Sequence, residues 1–245
     1  MFEPTFNLSD LNGSNGFAIN GIADGDSSGY SVSSGGDVNG DGFDDLIIGA
    51  YSADPNGINR AGQSYVVFGS NSGFSAGLNL SALNGSNGFA INGIAEDDNS
   101  GFWVSSAGDI NGDGIDDLII GARSADPNGI NRAGQSYVVF GSNSGFGADL
   151  NLSALNGSNG FAINGIAAND ESGYSVSSAG DVNGDGIDDL IIGAFAADPN
   201  GISGAGQSYV LFGQASTATN QPPWLTPTAL PRLKILPSPL RLQLC

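Results

Sequence analysis

Apolar residues in this chain come in short runs, and the runs come back. Leu46-Ile47-Ile48-Gly49-Ala50 is too short for a helix and continuous enough for a strand buried on both faces. Ser64-Tyr65-Val66-Val67-Phe68-Gly69 has the same character, with apolar side chains pointing both ways. Gly29-Tyr30-Ser31-Val32-Ser33-Ser34 alternates large and small residues, the pattern of a half-buried strand. Phe17, Ile19 and Ile22 stand near strand spacing with Asn-Gly turn formers on either side, so residues 16–22 are predicted to form one more strand. Polar loops separate the runs: an acidic one at 24–28, and a longer one at 52–62 carrying Pro55 and Asn56-Gly57. No stretch carries helical periodicity.

Each piece occurs three times. Asp37 returns as Asp109 and Asp181, 72 residues apart each time, and residues 7–22 have close copies at 79–94 and 151–166. Each unit is therefore expected to hold four short strands, which at a fixed period is the pattern of a β-propeller blade. One such sheet cannot bury both faces alone; stacking blades side by side lets the apolar strands pack on their neighbours. A parallel β-helix is the competing repeat fold, but its coils are much shorter than this period. The fold class expected is all-β, three blades of four antiparallel strands, forming a partial propeller or one completed by oligomerisation. The expected divisions are an outer strand of an incomplete blade at 1–23, blades at 24–95 and 96–167, a third blade at 168–213 lacking its fourth strand, and a tail at 214–245. The tail has no Gly, Asp or Glu and holds 6 of the 10 Pro residues, so it is expected to stay extended and unpacked.

Composition narrows the function. Gly stands at 40 of 245 residues, between apolar runs and among Asn, Asp and Ser, as many tight turns require. A net charge of −19 argues against nucleic acid or an anionic membrane surface as partner. Without His, Ser-His-Asp and Cys-His mechanisms and His-ligated zinc are excluded. Cys245 is the only Cys, so no disulfide forms within the chain. No apolar run approaches 18 residues, so no transmembrane segment is expected, and the start shows no signal peptide.

The loop before each Leu-Ile-Ile run carries the candidate chemistry. In Asp37-Val38-Asn39-Gly40-Asp41-Gly42-Phe43-Asp44-Asp45, oxygen-bearing side chains fall at positions one, three, five and nine, with Gly at six. A short loop wraps a hard cation in this way, alternate residues pointing inward and Gly allowing the sharp turn. An EF-hand shares the opening but needs a bidentate Glu at position twelve, where Ile48, Ile120 and Ile192 stand, and a helix on each side. A turn that binds nothing is the other reading; three copies with the same oxygen positions argue for calcium.

The unit resembles the FG-GAP repeat of the integrin alpha-chain propeller, which also occurs in bacterial surface and secreted proteins. The matching pieces are Gly29-Tyr30-Ser31-Val32, Gly36 to Gly42, Asp45 to Ala50 and Gly62 to Gly69, and the resemblance covers residues 7–213. It implies that the loop binds calcium between a blade's first and second strands. The ligands it implies are Asp37, Asn39, Asp41, the Phe43 carbonyl and Asp45; then Asp109, Asn111, Asp113, the Ile115 carbonyl and Asp117; then Asp181, Asn183, Asp185, the Ile187 carbonyl and Asp189. The chain departs from the family where Ser28, Ser100 and Ser172 replace the Phe of the FG pair, and where Tyr51, Arg123 and Phe195 replace the Pro of GAP. Neither change touches a ligand. Asn220-Gln221-Pro222-Pro223 resembles linkers into adhesive β-sandwich modules, and a shifted frame or truncation beyond it would account for the tail.

The resemblance implies a non-enzymatic, extracellular or cell-surface module for adhesion or protein binding, with an unknown protein or glycan ligand. The alternatives are a non-catalytic propeller appended to a secreted enzyme such as a phospholipase, and a fragment without independent function. In an up-and-down blade the loops at 24–28, 96–100 and 168–172 share one end with the 51–63 type loops. That end carries Tyr51, Arg60, Arg123, Arg132 and Phe195, with Trp103 near its edge, and aromatic and Arg residues are common binding anchors. Propellers need about four to eight blades. Two copies exchanging N-terminal strands would make six, so a homodimer, or aggregation, is expected and not a well-behaved monomer.

Overall fold

A computed structural model of the chain describes residues 5–215. Among these residues there are fourteen β-strands and six single 3-10 turns, and no α-helix. The outer strand expected at 16–22 is shorter, β1 (Ala18–Asn20). The first blade contains β2 (Ser31–Gly36), β3 (Asp45–Ala50), β4 (Gln63–Val67) and β6 (Gly88–Asn92), each antiparallel to the next. The second contains β7 (Ser100–Gly108), β8 (Asp117–Ala122), β9 (Gln135–Val139) and β11 (Gly160–Asn164). The third has β12 (Ser172–Gly180), β13 (Asp189–Ala194) and β14 (Gln207–Leu211), and no fourth strand among the described residues. The described residues thus form an all-β stack of propeller-type blades and among them no closed ring is formed. The tail expected at 214–245 lies, from residue 216 on, outside the described residues.

The count of four strands per unit needs a correction. β5 (Gly77–Asn79) and β10 (Asp149–Asn151) are additional, and each runs parallel to the outer strand of the preceding blade: β5 to β1, and β10 to β6. Side chains reinforce the clasp. Phe74 stacks on Phe17 at 4.1 Å between ring centres, and Phe146 on Phe89 at 4.2 Å. Asn20 donates to Asn79 and Asn92 to Asn151 across the same pairs. An outer strand would otherwise present an unpaired edge.

The core lies between blades. Ile47, Val66 and Phe68 of the first blade pack on Val104, Leu118 and Ile120 of the second. Ile119 and Val138 of the second pack on Val176, Leu190 and Ile192 of the third. Backbones approach so closely that one glycine per junction is obligatory. A Cβ on Gly49 would stand 2.1 Å from the Gly101 carbonyl oxygen, and on Gly121 2.0 Å from that of Gly173. This explains the Gly of the first two Ile-Ile-Gly-Ala runs.

Candidate functional site

The three acidic loops join β2 to β3, β7 to β8 and β12 to β13, each a blade's first strand to its second. Position six is glycine at φ +89, +88 and +88°, for Gly42, Gly114 and Gly186, a left-handed turn that side-chain-bearing residues rarely adopt. The position-one and position-five carboxylates fold back on the loop. Asp37 accepts from the N–H groups of Asp41 and Gly42, and Asp41 from that of Phe43. Asp109 likewise accepts from Asp113 and Gly114, and Asp113 from Ile115. Asp181 accepts from Asp185 and Gly186, and Asp185 from Ile187. Asn39 and Asn183 at position three accept from Asp41 and Asp185.

The position-nine carboxylates behave differently. Asp45, Asp117 and Asp189 are fully buried. Asp45 accepts from Val38 N–H within its loop and from Gly69 N–H after the third strand, tying three parts of the blade together. Asp117 and Asp189 accept from Gly141 and Gly213. Burial pushes Asp45 up to about 6, with the nearby charges of Asp41 and Asp37 adding to it. Burial pushes Asp117 up to about 8, helped by Asp113 and Asp109. The second loop is the most enclosed, and there Asn111 Oδ1 and Asp117 Oδ2 are buried without a hydrogen-bond partner.

The structure therefore brings Asp37, Asn39, Asp41, Phe43 and Asp45 into one loop, and likewise the second and third sets. It does not draw three acidic side chains into a ready-made cage: among the described residues no such cluster is formed. The first carboxylates are occupied with loop amides, leaving lone pairs of the buried Asn111 and Asp117 unused. The unpartnered buried oxygens of Asn111 and Asp117 fit a hard cation's ligand chemistry. Among the described residues no cationic side chain does that work. The three arginines among the described residues lie elsewhere: Arg60 pairs with Asp97 at 3.3 Å, and Arg123 and Arg132 both pair with Glu171.

Those arginines mark the opposite end, where an aromatic strip crosses all three blades. Tyr51 and Tyr30 lie 4.6 Å apart between ring centres, Tyr30 and Phe102 5.0 Å, Phe102 and Tyr174 5.2 Å, and Tyr174 and Phe195 4.3 Å. The Arg123 guanidinium sits 4.1 Å from the Phe102 ring centre, a cation–π contact. Tyr30 and Phe195 of the strip are exposed. Sequence reasoning placed Tyr51, Arg123 and Phe195 here but missed Tyr30, Phe102, Tyr174 and Glu171. The signal for the aromatics was their 72-residue recurrence after Gly29, Gly101 and Gly173. Trp103 lies on β7, half exposed in a cleft of about 360 Å³ lined by Ser31, Ser105, Ser175 and Ser177 of the inner strands.

Comparison with known proteins agrees with this architecture. The family model described as FG-GAP repeat matches residues 28–67, 101–139 and 172–211, one match per blade. Over 158 residues, 64% of the chain, the sequence is 30% identical to the phosphatidylinositol-glycan-specific phospholipase D of Bos taurus. The match spans 17% of that relative's length.

Proposed function

Because the chain belongs to the FG-GAP repeat family, we propose that it is a calcium-stabilised β-propeller module whose aromatic end binds a protein or glycan partner outside the cell. The family is generally non-catalytic and typically extracellular, and its repeats make protein-interaction propellers. Among the described residues no helix is long and apolar enough to cross a membrane.

One observation carries the calcium reading. Asn111 and Asp117 bury oxygens that nothing among the described residues satisfies, inside a loop whose counterparts repeat the same residue types. Bound there, calcium would supply positive charge against the clustered carboxylates and coordination for the unused lone pairs. Asp37, Asn39, Asp41, Asp45 and the Phe43 carbonyl, with their equivalents, would hold it. The protein's part is to keep position nine anchored to the third strand, so that ordering the loop also fixes the sheet. The aromatic strip with its arginines supports the binding end, since Tyr, Phe and Arg supply large contact area at modest entropic cost.

A calcium titration of thermal unfolding tests the reading. With extracellular-range affinity of about 10⁻³ M, 10 mM calcium stabilises the fold by about 1.4 kcal/mol per site. The melting temperature should rise from chelator to millimolar calcium, and an unchanged value would overturn the assignment. The phospholipase relative favours a second reading, a non-catalytic propeller within a larger secreted enzyme. A catalytic domain in the same polypeptide would decide for it.

A further inference from the structure

Comparing the three repeats position by position shows which surfaces are unfinished. Val104 and Val176 are 2% exposed, each covered by the preceding blade, whereas Val32 at the same place in the first blade is 65% exposed. Leu118 and Leu190 are buried, and Leu46 is not. The reverse holds on the opposite face. Val66 and Val138 are fully buried under the following blade, but Val210 is 48% exposed; Ile47 and Ile119 are buried, and Ile191 is exposed. The free face of the first blade and the free face of the third are thus the two halves of the junction already made twice within the chain.

Polar groups are unfinished in the same register. Asp116 accepts a hydrogen bond from Asp37 N–H of the preceding blade at 2.9 Å, and Asp188 from Asp109 N–H at 3.0 Å. Asp44 is the same acceptor in the first blade and Asp181 N–H the same donor in the third, and the chain does not join them. The sheets show it again. Among the described residues β12-β13-β14 stops at β14 with no strand on its outer edge, and β1-β5 is a two-stranded sheet. The five-stranded sheet of the first blade runs β2-β3-β4-β6-β10, which is three strands of the first kind followed by two of the second.

We propose that two copies of this chain associate head to tail through both free faces at once. β1 of each copy extends the β12-β13-β14 sheet of the other, closing a six-bladed ring with two identical interfaces. The β4–β6 register, with Val67 opposite Gly88 and Gln63 opposite Asn92, sets the contact: Leu211 faces the second copy's Gly16, and Gln207 faces its Asn20. Gln135 donates to Asn164 at 2.6 Å in the equivalent place, and Gln207 and Asn20 repeat that pair. The occupant is another copy because the only surfaces in the structure shown to cover such faces are blades of this same repeat. A heterologous contact of this kind closes if the rotation per blade allows and otherwise grows open chains.

Sedimentation equilibrium of the full-length chain at micromolar concentration tests this, and it reads mass, so its failure is separate from that of the calcium reading. A dimer is expected. Val32→Asp and Val210→Asp each spoil one face and should each give monomers, because every interface in the ring uses both faces. Mixed in equal amounts they should recover a dimer through the one intact pair of faces. Gly193→Ala guards against misfolding. Among the described residues its new Cβ crowds one atom, the Ser175 hydroxyl oxygen at 2.5 Å, but it would collide with the second copy's Gly29 backbone as Gly49 and Gly121 would with Gly101 and Gly173. It should keep the fold and weaken association at least about tenfold. A monomeric wild type, species that keep growing with concentration, a mixture that stays monomeric, or unaffected association of Gly193→Ala would each overturn the proposal. A monomer that binds hydrophobe-sensing dye would point to further blades of a longer polypeptide as the missing cover.

Discussion

Replacing Gly121 by Ala tests the idea that blades are joined by backbone contact. Gly121 lies inside β8, paired with Trp103 on one side and Ser136 on the other. Its φ is not in the left-handed region, so Ala pays no conformational penalty there and gains about 0.5–1 kcal/mol through lower unfolded-state entropy. Packing opposes that gain. The new Cβ would stand 2.0 Å from the Gly173 carbonyl oxygen and 3.1 Å from its carbon. Neither partner is a flexible side-chain end, so the second and third blades must separate by about 1 Å, loosening the Val138–Val176–Ile192 core between them. Overpacking of this kind costs about 1–3 kcal/mol, and a backbone-on-backbone clash belongs at the upper end, for a net loss of about 2 kcal/mol. In a chain of this size that is a fall of about 4–8 °C in melting temperature. The internal control is Gly193→Ala, the same position with no following blade, which should stay within about 0.5 kcal/mol when measured dilute enough to keep the chain monomeric. Equal destabilisation of the two variants, or a neutral Gly121→Ala, would refute the reasoning.

Two further outcomes follow from buried charge. Asp98 is buried beside Asp97 and Asp126, and burial pushes it up to about 6 from an ordinary 3.8; the folded state then holds its proton more tightly, so this stabilising contribution is full below 3.8 and is lost as pH rises through about 6. Over that window Asp98→Asn, which keeps an acceptor for Ala95 N–H, should flatten the pH dependence of denaturant-measured stability by up to about 3 kcal/mol, and profiles parallel to wild type would contradict it. Asp117→Asn replaces a buried carboxyl that has no cationic partner among the described residues, so it should leave stability in chelator equal or higher while losing one site's share of the calcium response. Loss of stability in chelator together with an intact calcium response would count against the assigned ligand.

The strands were legible because each is a local apolar run, and the blade because the runs return at one period. β5 and β10 were not. Gly77-Leu78-Asn79 and Asp149-Leu150-Asn151 each offer a single apolar residue, and what makes them strands is an edge belonging to another blade, with Ala18 opposite Gly77 and Ala90 opposite Asp149. No window of local sequence contains both partners. The aromatic strip was half legible for the same reason: Tyr51 and Phe195 stood out as replacements, but Phe102 acquires its role from Tyr30, Tyr174 and Arg123 of three different blades.

The Asp-Asp pair that ends each loop shows the limit most clearly. In sequence, Asp44-Asp45, Asp116-Asp117 and Asp188-Asp189 look like one acidic feature with a spare carboxylate. The strand's period of two turns adjacent side chains to opposite sides, and the structure gives them separate work. Asp117 points into its own loop and holds Gly141 N–H; Asp116 points to the preceding blade and holds Asp37 N–H. Asp37 stands at the candidate ligand's position one, so its carboxylate organises its own loop while its amide is fixed by the next repeat. Ordering of one loop is therefore communicated to the neighbouring blade through a single residue. The stack and its acidic loops are mechanically one object, and cation binding and blade association should stabilise each other.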